Sequence, residues 1–256
     1  MRLLCIAAAL FGAVAAMPGR AAALPDVRAW EDLWTAVLLR VVDDRGRIDF
    51  AGLAAEPGDL RKVVAFVAAE SPASAPHRFP TREATLAYYI NAYNALAMHG
   101  VMASGSLERF GLIGRIRFFG LRQFTVGGQR MSLYSLENDV IRPLGEARVH
   151  FALNCMVVGC PRLPREAFRA AALDKQLEQA AREFVNDARN VRVDAVSQTV
   201  WLSAIFDFYT ADFLAEAPTL IDYVNRYRSD AVPQGFRARF LDYDWTINRQ
   251  PSAQAR

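Results

Sequence analysis

The sequence predicts an α+β fold: a mostly helical single domain with a small, largely antiparallel sheet. Three observations predict it. The longer stretches repeat their apolar residues at helical spacing. The strand-like runs are short and come in pairs around glycine or polar turns. No internal repeat or long linker divides the 256 residues, which suffice for one sizeable core.

The chain opens with the pattern of an export leader. Arg2 supplies a positive start, Leu3 to Met17 an apolar run, and Ala21-Ala22-Ala23 a small-residue cleavage pattern. The reading is a signal peptide over 1–23, which takes Cys5 with it, and a periplasmic or secreted mature protein. The apolar run is short of the roughly 20 residues a span needs, so no integral span is expected after cleavage. One family-sized domain is expected over 24–248, with a frayed tail over 249–256 that lacks apolar side chains.

The elements follow in order. Trp30, Leu33, Trp34, Val37, Leu38 and Val41 form one face of a helix within 26–44. A second helix is expected over 58–70. The third, over 81–100, is the strongest: Thr81 caps it, Glu83 suits its positive end, Gly100 closes it, and Leu86, Tyr89, Ile90, Tyr93 and Ala97 make its apolar stripe. The stretch "RFGLIGRIRFFGLRQF" (109–124) interleaves arginine and phenylalanine. That pattern suits a membrane-surface or nucleic-acid patch, but without a charge excess it reads as strands with one solvated face. A hairpin turns at Gly127-Gly128. Ser132 or Ser135 then caps a helix carrying Leu136, Val140 and Ile141. A strand is expected over 148–154 and a long amphipathic helix over 164–188. A second hairpin over 190–203, two short helices, and a last strand near 238–245 complete the chain.

Charge excludes one class of partner. Without the leader the formal charge falls from +3 to +1, which is no nucleic-acid footprint. The partner expected is a small molecule or peptide, and no cofactor motif is present.

The densest chemistry lies in "ARVHFALNCMVVGCPRLP" (147–164). Four readings compete for it. Cys155 is a nucleophile if a base comes within hydrogen-bond reach. His150 is the near candidate, but in a strand the two side chains point to opposite faces and their Cα atoms stand roughly 16 Å apart. His99 is the other. Alternatively Cys155 and Cys160 close a disulfide, as an oxidising compartment permits. A metal site would need a ligand from elsewhere, and the spacing matches no familiar zinc pattern. Last, Cys155 and His150 are plain core residues.

Asn91 and Asn94 lie some 60° apart on the flank of the 81–100 helix. Asparagine is a middling helix former, so the pair either ties loops to the helix through its amides or contacts a substrate. Glu137 falls in a first helical turn, where capping is the default and an ion pair with Arg142 the next reading.

Four stretches together resemble a known family: "YYINAYNALAMHG", "SLENDVIRPLGEARVHFALNCMVVGCPRL", "SAIFDFYTADF" and "YDWTIN". The set is similar to the domain of unknown function 547 family, found in secreted bacterial proteins, plant proteins with a leucine zipper, and animal proteins that can pair it with a glutaredoxin-like module. The resemblance runs from about Trp34 to Asn248. It implies one domain, and places Asn91, Asn94, Glu137, Arg142, His150, Cys155 and Pro161 in the family's own motifs. Two departures stand out: the apolar "MVV" (156–158) replaces smaller and polar residues between the cysteines, and "FDFY" lacks a tryptophan that often precedes the tyrosine. Company with glutaredoxin-like modules points toward thiol chemistry.

The expectation that results is a thiol-centred site for hydrolysis or acyl transfer on a peptide, amide or thioester. Cys155 would be the nucleophile, His150 or His99 the proton acceptor and Asn91 an orienting group. Asn94, Glu137, Arg142 and Cys160 would support it. The rival is a non-enzymatic envelope binding or scaffolding module whose Cys155–Cys160 disulfide is structural or redox-active.

Overall fold

The computed structural model describes residues 24–105 and 108–251. The expected leader over 1–23 and the end of the expected tail, 252–256, lie outside them. The architecture is α+β, as the sequence predicts.

Helix α1 (Val27–Val41) is capped by Asp26, whose carboxylate accepts from the Ala29 amide. It packs on α3 (Gly58–Ala69), with the short α2 (Phe50–Ala55) between them in sequence. Trp30 joins the two: its ring stacks on Phe66 at 5.0 Å and its indole N–H donates to Val63 O. At the centre runs α4 (Arg82–Met102), capped by Thr81 as expected. Gly100 does not close it; its bare Cα instead lies against the Phe118 ring. The helix is buried on every face from Leu86 to Met98, not along one stripe. Its many alanines let neighbours approach on all sides, as in any helix enclosed by the rest of the fold.

The stretch over 109–124 corrects the strand expectation. It forms α5 (Leu112–Arg115) running straight into a π-helical segment, Ile116–Leu121. Phe110, Phe118 and Phe119 cluster with ring centres 4.8–5.3 Å apart, and that aromatic packing holds the segment in helical form. The first hairpin is as predicted, β1 (Phe124–Val126) against β2 (Gln129–Met131). Gly127 and Gly128 both take positive φ, 55° and 81°, the conformation a tight two-residue turn demands. Their amides donate to Val67 O and Ala68 O, which pins the turn to the end of α3.

Ser132 rather than Ser135 provides the next cap, for α6 (Leu133–Ser135), which continues into a second π-helical segment, Leu136–Ile141. The strand expected over 148–154 is instead a 3₁₀ turn, Ala147–Phe151. The Glu146 side chain accepts from the Arg148 amide, and the backbone closes short-range bonds rather than finding a strand partner. The helix expected over 164–188 is shorter, α7 (Leu173–Asn186), preceded by an irregular run that Asn91 of α4 holds at Phe168. The second hairpin is present as β3 (Val191–Asp194) and β4 (Thr199–Leu202). Helices α8 (Ala204–Phe208), α9 (Thr210–Leu214) and α10 (Leu220–Asn225) follow. The last strand, β5 (Arg237–Phe240), pairs with β4 in parallel, which makes this three-stranded sheet mixed.

Two apolar clusters result. One gathers α1, α3, α4 and the 149–168 region; the other gathers Phe151, Phe184, Phe206, Phe213 and Tyr223 around α7–α10. Tyr243 packs against both. The C-terminal stretch then crosses the 155–160 loop, with Val157 bridged to Ile247, and Gln250 donates to Val41 O and Arg47 O.

Candidate functional site

A cavity of about 600 Å³ lies at the seam between the two clusters. Both π-helical segments border it, the first through Phe119 and Gly120, the second through Glu137 and Asn138. A π-helical turn re-aims side chains out of the ordinary helical register and recurs at functional sites. Walls of Phe119, Tyr134, Phe208, Tyr209, Tyr243 and Trp245 make the lining largely aromatic.

Cys155 and Cys160 line this cavity and are joined to each other by a disulfide. The loop that carries them is fixed from every side. Asn94 of α4 donates to Ala152 O at 3.0 Å and accepts from the Asn154 amide at 2.7 Å. Asn154 in turn donates to Pro161 O and accepts from the Met156 amide. Met156 holds φ at 67° with its side chain fully buried, an unfavourable backbone for a residue bearing Cβ. Val158 and Gly159 donate to Thr246 O and Asp244 O. At Gly159 a Cβ would meet Asp244 N and O at 3.0 Å, so only glycine permits that approach. The Tyr243 hydroxyl then sits 3.3 Å from Cys155 Sγ and 3.2 Å from Cys160 Sγ. Sulfurs in a disulfide carry no hydrogen, so the phenol is the donor.

The imidazole expected to serve Cys155 is differently engaged. In the 3₁₀ turn, His150 bonds through Nε2 to Asp212 Oδ2 at 2.8 Å and lies under the Tyr209 ring, centroids 3.8 Å apart. Asp212 also accepts two bonds from Arg142, at 2.7 and 2.8 Å, and Arg142 reaches Asn138 Oδ1. The Arg142 bonds, then the bond to His150, hold the Asp212 carboxyl far below the usual carboxylate range. His150 Nδ1 is buried with no hydrogen-bond partner among the described residues. His99 lies elsewhere, half-buried near the end of α4. Burial, with Arg122 and Arg61 nearby, pushes its pKa below the ordinary histidine value. It does not line the cavity.

Glu137 neither caps a helix nor pairs with Arg142. It is buried in the cavity wall, where its carboxylate accepts from the Tyr209 hydroxyl and interacts with the Tyr93 phenol. Burial, then the Glu137 charge, drives the Tyr93, Tyr209 and Tyr243 hydroxyls up, so all three stay protonated donors. No cation forms an ion pair with Glu137 among the described residues. Asn91 stays away from the cavity: its amide donates to Phe168 O at 2.7 Å and accepts from Phe168 N at 2.9 Å. The two asparagines therefore tie loops to α4. Among the described residues no group of three or more histidine, cysteine or acidic side chains is placed to hold a metal.

Sequence reasoning thus picks out Cys155, Cys160, His150, Glu137 and Arg142, which the fold brings to one cavity. It misses Tyr93, Tyr209, Asp212, Tyr243, Trp245 and Arg115, which also build the site or its support. For Tyr209, Asp212, Tyr243 and Trp245 the signal lies in the aromatic and acidic runs "FDFYTAD" and "YDW", silent about which core they face; Tyr93 and Arg115 sit in stretches that read as an apolar stripe and a solvated face.

No curated protein and no solved structure matches this chain. A family model does: that of "Protein of unknown function, DUF547" matches residues 77–185, the stretch that holds Asn91, Asn94, Glu137, Arg142, His150, Cys155 and Cys160, and this match supports the kinship that those motifs suggest.

Proposed function

We propose that the cavity binds a small amphiphilic molecule or the side chain of a peptide, with its apolar body between the aromatic walls and an N–H donor on Glu137. The Cys155–Cys160 bond then acts as a clip that shapes the floor. One observation carries this reading: a buried carboxylate held by two phenols, with no ion-paired cation among the described residues, opens into an aromatic cavity of about 600 Å³. Ligand sites commonly combine an apolar lining with a few fixed polar groups, and a buried carboxylate gains most from a partner that donates hydrogen bonds. The disulfide supports an oxidising compartment, which agrees with the export leader expected at the N-terminus.

The test is a matched series of eight-carbon ligands, octylamine, octanamide and octanoate, titrated calorimetrically into the oxidised protein. The reading predicts that the two N–H donors bind and that octanoate is at least tenfold weaker. Tighter binding of octanoate would place the anchoring group on an arginine and refute it.

A second reading has its own support. With the disulfide reduced, Cys155 would share the cavity with His150, whose other nitrogen is fixed by Asp212. An imidazole oriented by a carboxylate is how thiol nucleophiles are activated. Fast alkylation of one thiol at neutral pH after mild reduction, lost in Cys155→Ala and slowed in His150→Gln, is the expected result. Alkylation no faster than that of a free cysteine would dismiss it.

A further inference from the structure

The cavity opens on a surface with a chemistry of its own. Between Glu108 and Glu137 the chain carries five arginines, at 109, 115, 117, 122 and 130, and no aspartate or glutamate. The same stretch contains the continuous helical segment of α5 and its π-helical extension. Four of its aliphatic side chains stand in solvent: Leu112 (66 %), Ile113 (72 %), Ile116 (54 %) and Leu121 (66 %). Single exposed aliphatics need no explanation, but four within ten residues mark an interaction surface. Positions 112, 113 and 116 share one flank of the helix. Leu112 and Ile116 also line the cavity, beside exposed Tyr134 and Phe208.

We propose that this lip docks on an anionic lipid surface. Ile113, Ile116 and Leu121 enter the interfacial region and the arginines meet the headgroups. Charge favours lipid: among the described residues Arg117 and Arg130 are exposed and form no ion pair, so their charge is available to an anionic layer. The apolar residues favour it too. Four protruding aliphatics have nothing to stack on a nucleic-acid base, whereas an interfacial helix uses that mixture of aliphatic and arginine side chains. No helix among the described residues is long and apolar enough to cross a membrane, so attachment through this lip is peripheral. Docking turns the cavity mouth toward the bilayer, which makes a membrane amphiphile the ligand class; that last step rests on the cavity reading above.

The experiment measures co-sedimentation with extruded vesicles of phosphatidylcholine alone and of phosphatidylcholine with an equal part of phosphatidylglycerol. The protein is expected to favour the anionic vesicles, less so as salt rises from about 0.1 to about 0.5 M. The double variant Ile113→Ser/Leu121→Ser should lower that partition by about tenfold or more, and Arg117→Ser by about fivefold. Parent and variants share one N-terminus, so any pull from that segment cancels in the comparison. Neither Ile113 nor Leu121 lines the cavity, so octylamine binding should be unchanged in the double variant. Retained vesicle binding with no octylamine binding would fail the cavity reading alone. Equal partition into both vesicles, partition unaffected by the double variant, or displacement from vesicles by a single-stranded oligonucleotide would overturn the docking proposal.

Discussion

Replacing Asn94 by leucine tests how the disulfide loop is held. The two side chains have the same number of heavy atoms and the same branching, so the change removes polar atoms without opening a cavity. Asn94 is 1 % exposed, and its amide makes two bonds, to Ala152 O at 3.0 Å and from Asn154 N at 2.7 Å. Leucine leaves that carbonyl and that amide unsatisfied in a site that excludes water. Each orphan costs about 1–3 kcal/mol, so the loss should be about 2–6 kcal/mol, a large part of the ~5–15 kcal/mol that typically separates folded from unfolded. Urea denaturation followed by circular dichroism reads it as a lower midpoint at unchanged slope. Asn94→Asp should be at least as damaging, because it removes the donor and buries a charge. A second readout is specific to the loop: dithiothreitol should open the Cys155–Cys160 bond faster in Asn94→Leu than in the parent. A loss below about 1 kcal/mol, with unchanged reduction, would refute the assignment of Asn94 as the tie that positions this loop.

Other perturbations have equally definite outcomes. Removing the disulfide with Cys155→Ser/Cys160→Ser, which opens a ring closed across a separation of five residues, should cost about 2 kcal/mol by loop-closure entropy, read from the same urea curves. Gly159→Val pushes a side chain onto Asp244 N and O; overpacking of this kind costs about 1–3 kcal/mol, and calorimetric melting should show it. His99 gives a pH dependence of known sign. Its folded pKa lies below the ordinary value because burial and two arginines disfavour the cation. The unfolded chain therefore takes up the proton first, and the stability present above about pH 6.5 is lost as pH falls through the folded value. The urea midpoint should drop between pH 7.5 and 5, with a shallower drop in His99→Gln.

How far the sequence could be read depended on the range of the forces involved. The helices α1, α3 and α4 were legible because capping and apolar spacing are local, and so was the glycine hairpin. The 147–151 turn was not. Its alternating apolar residues mimic a strand, whereas the Glu146 side chain and short-range backbone bonds close the turn and the Asn94 amide, 58 residues away from Ala152, ties its end. Segment 109–124 misled for a similar reason, since its phenylalanines pack on one another and on the C-terminal Trp245. Within the site, Cys155, His150 and Glu137 stood out by residue type. Their partners did not: Asp212 and Tyr243 are ordinary residues until the chain folds them against His150 and the two sulfurs. The 3₁₀ turn, which the strand-like pattern conceals, brings His150 and Cys155 to one cavity, with Nε2 of His150 held by the partly exposed Asp212 carboxylate.

Glu137 is the cavity's anchoring acceptor, and the affinity of octylamine and octanamide for Glu137→Gln tests that role most directly. Glutamine keeps the shape and one accepting oxygen but removes the charge. Hydrogen bonds to a charged group exceed neutral ones by about 1–1.5 kcal/mol, so octanamide, whose bond becomes neutral on both sides, should lose about tenfold in affinity, and octylamine, which also loses its counter-charge, at least as much. Equal affinities in parent and variant for both ligands would contradict the account, because the carboxylate would then play no part in binding.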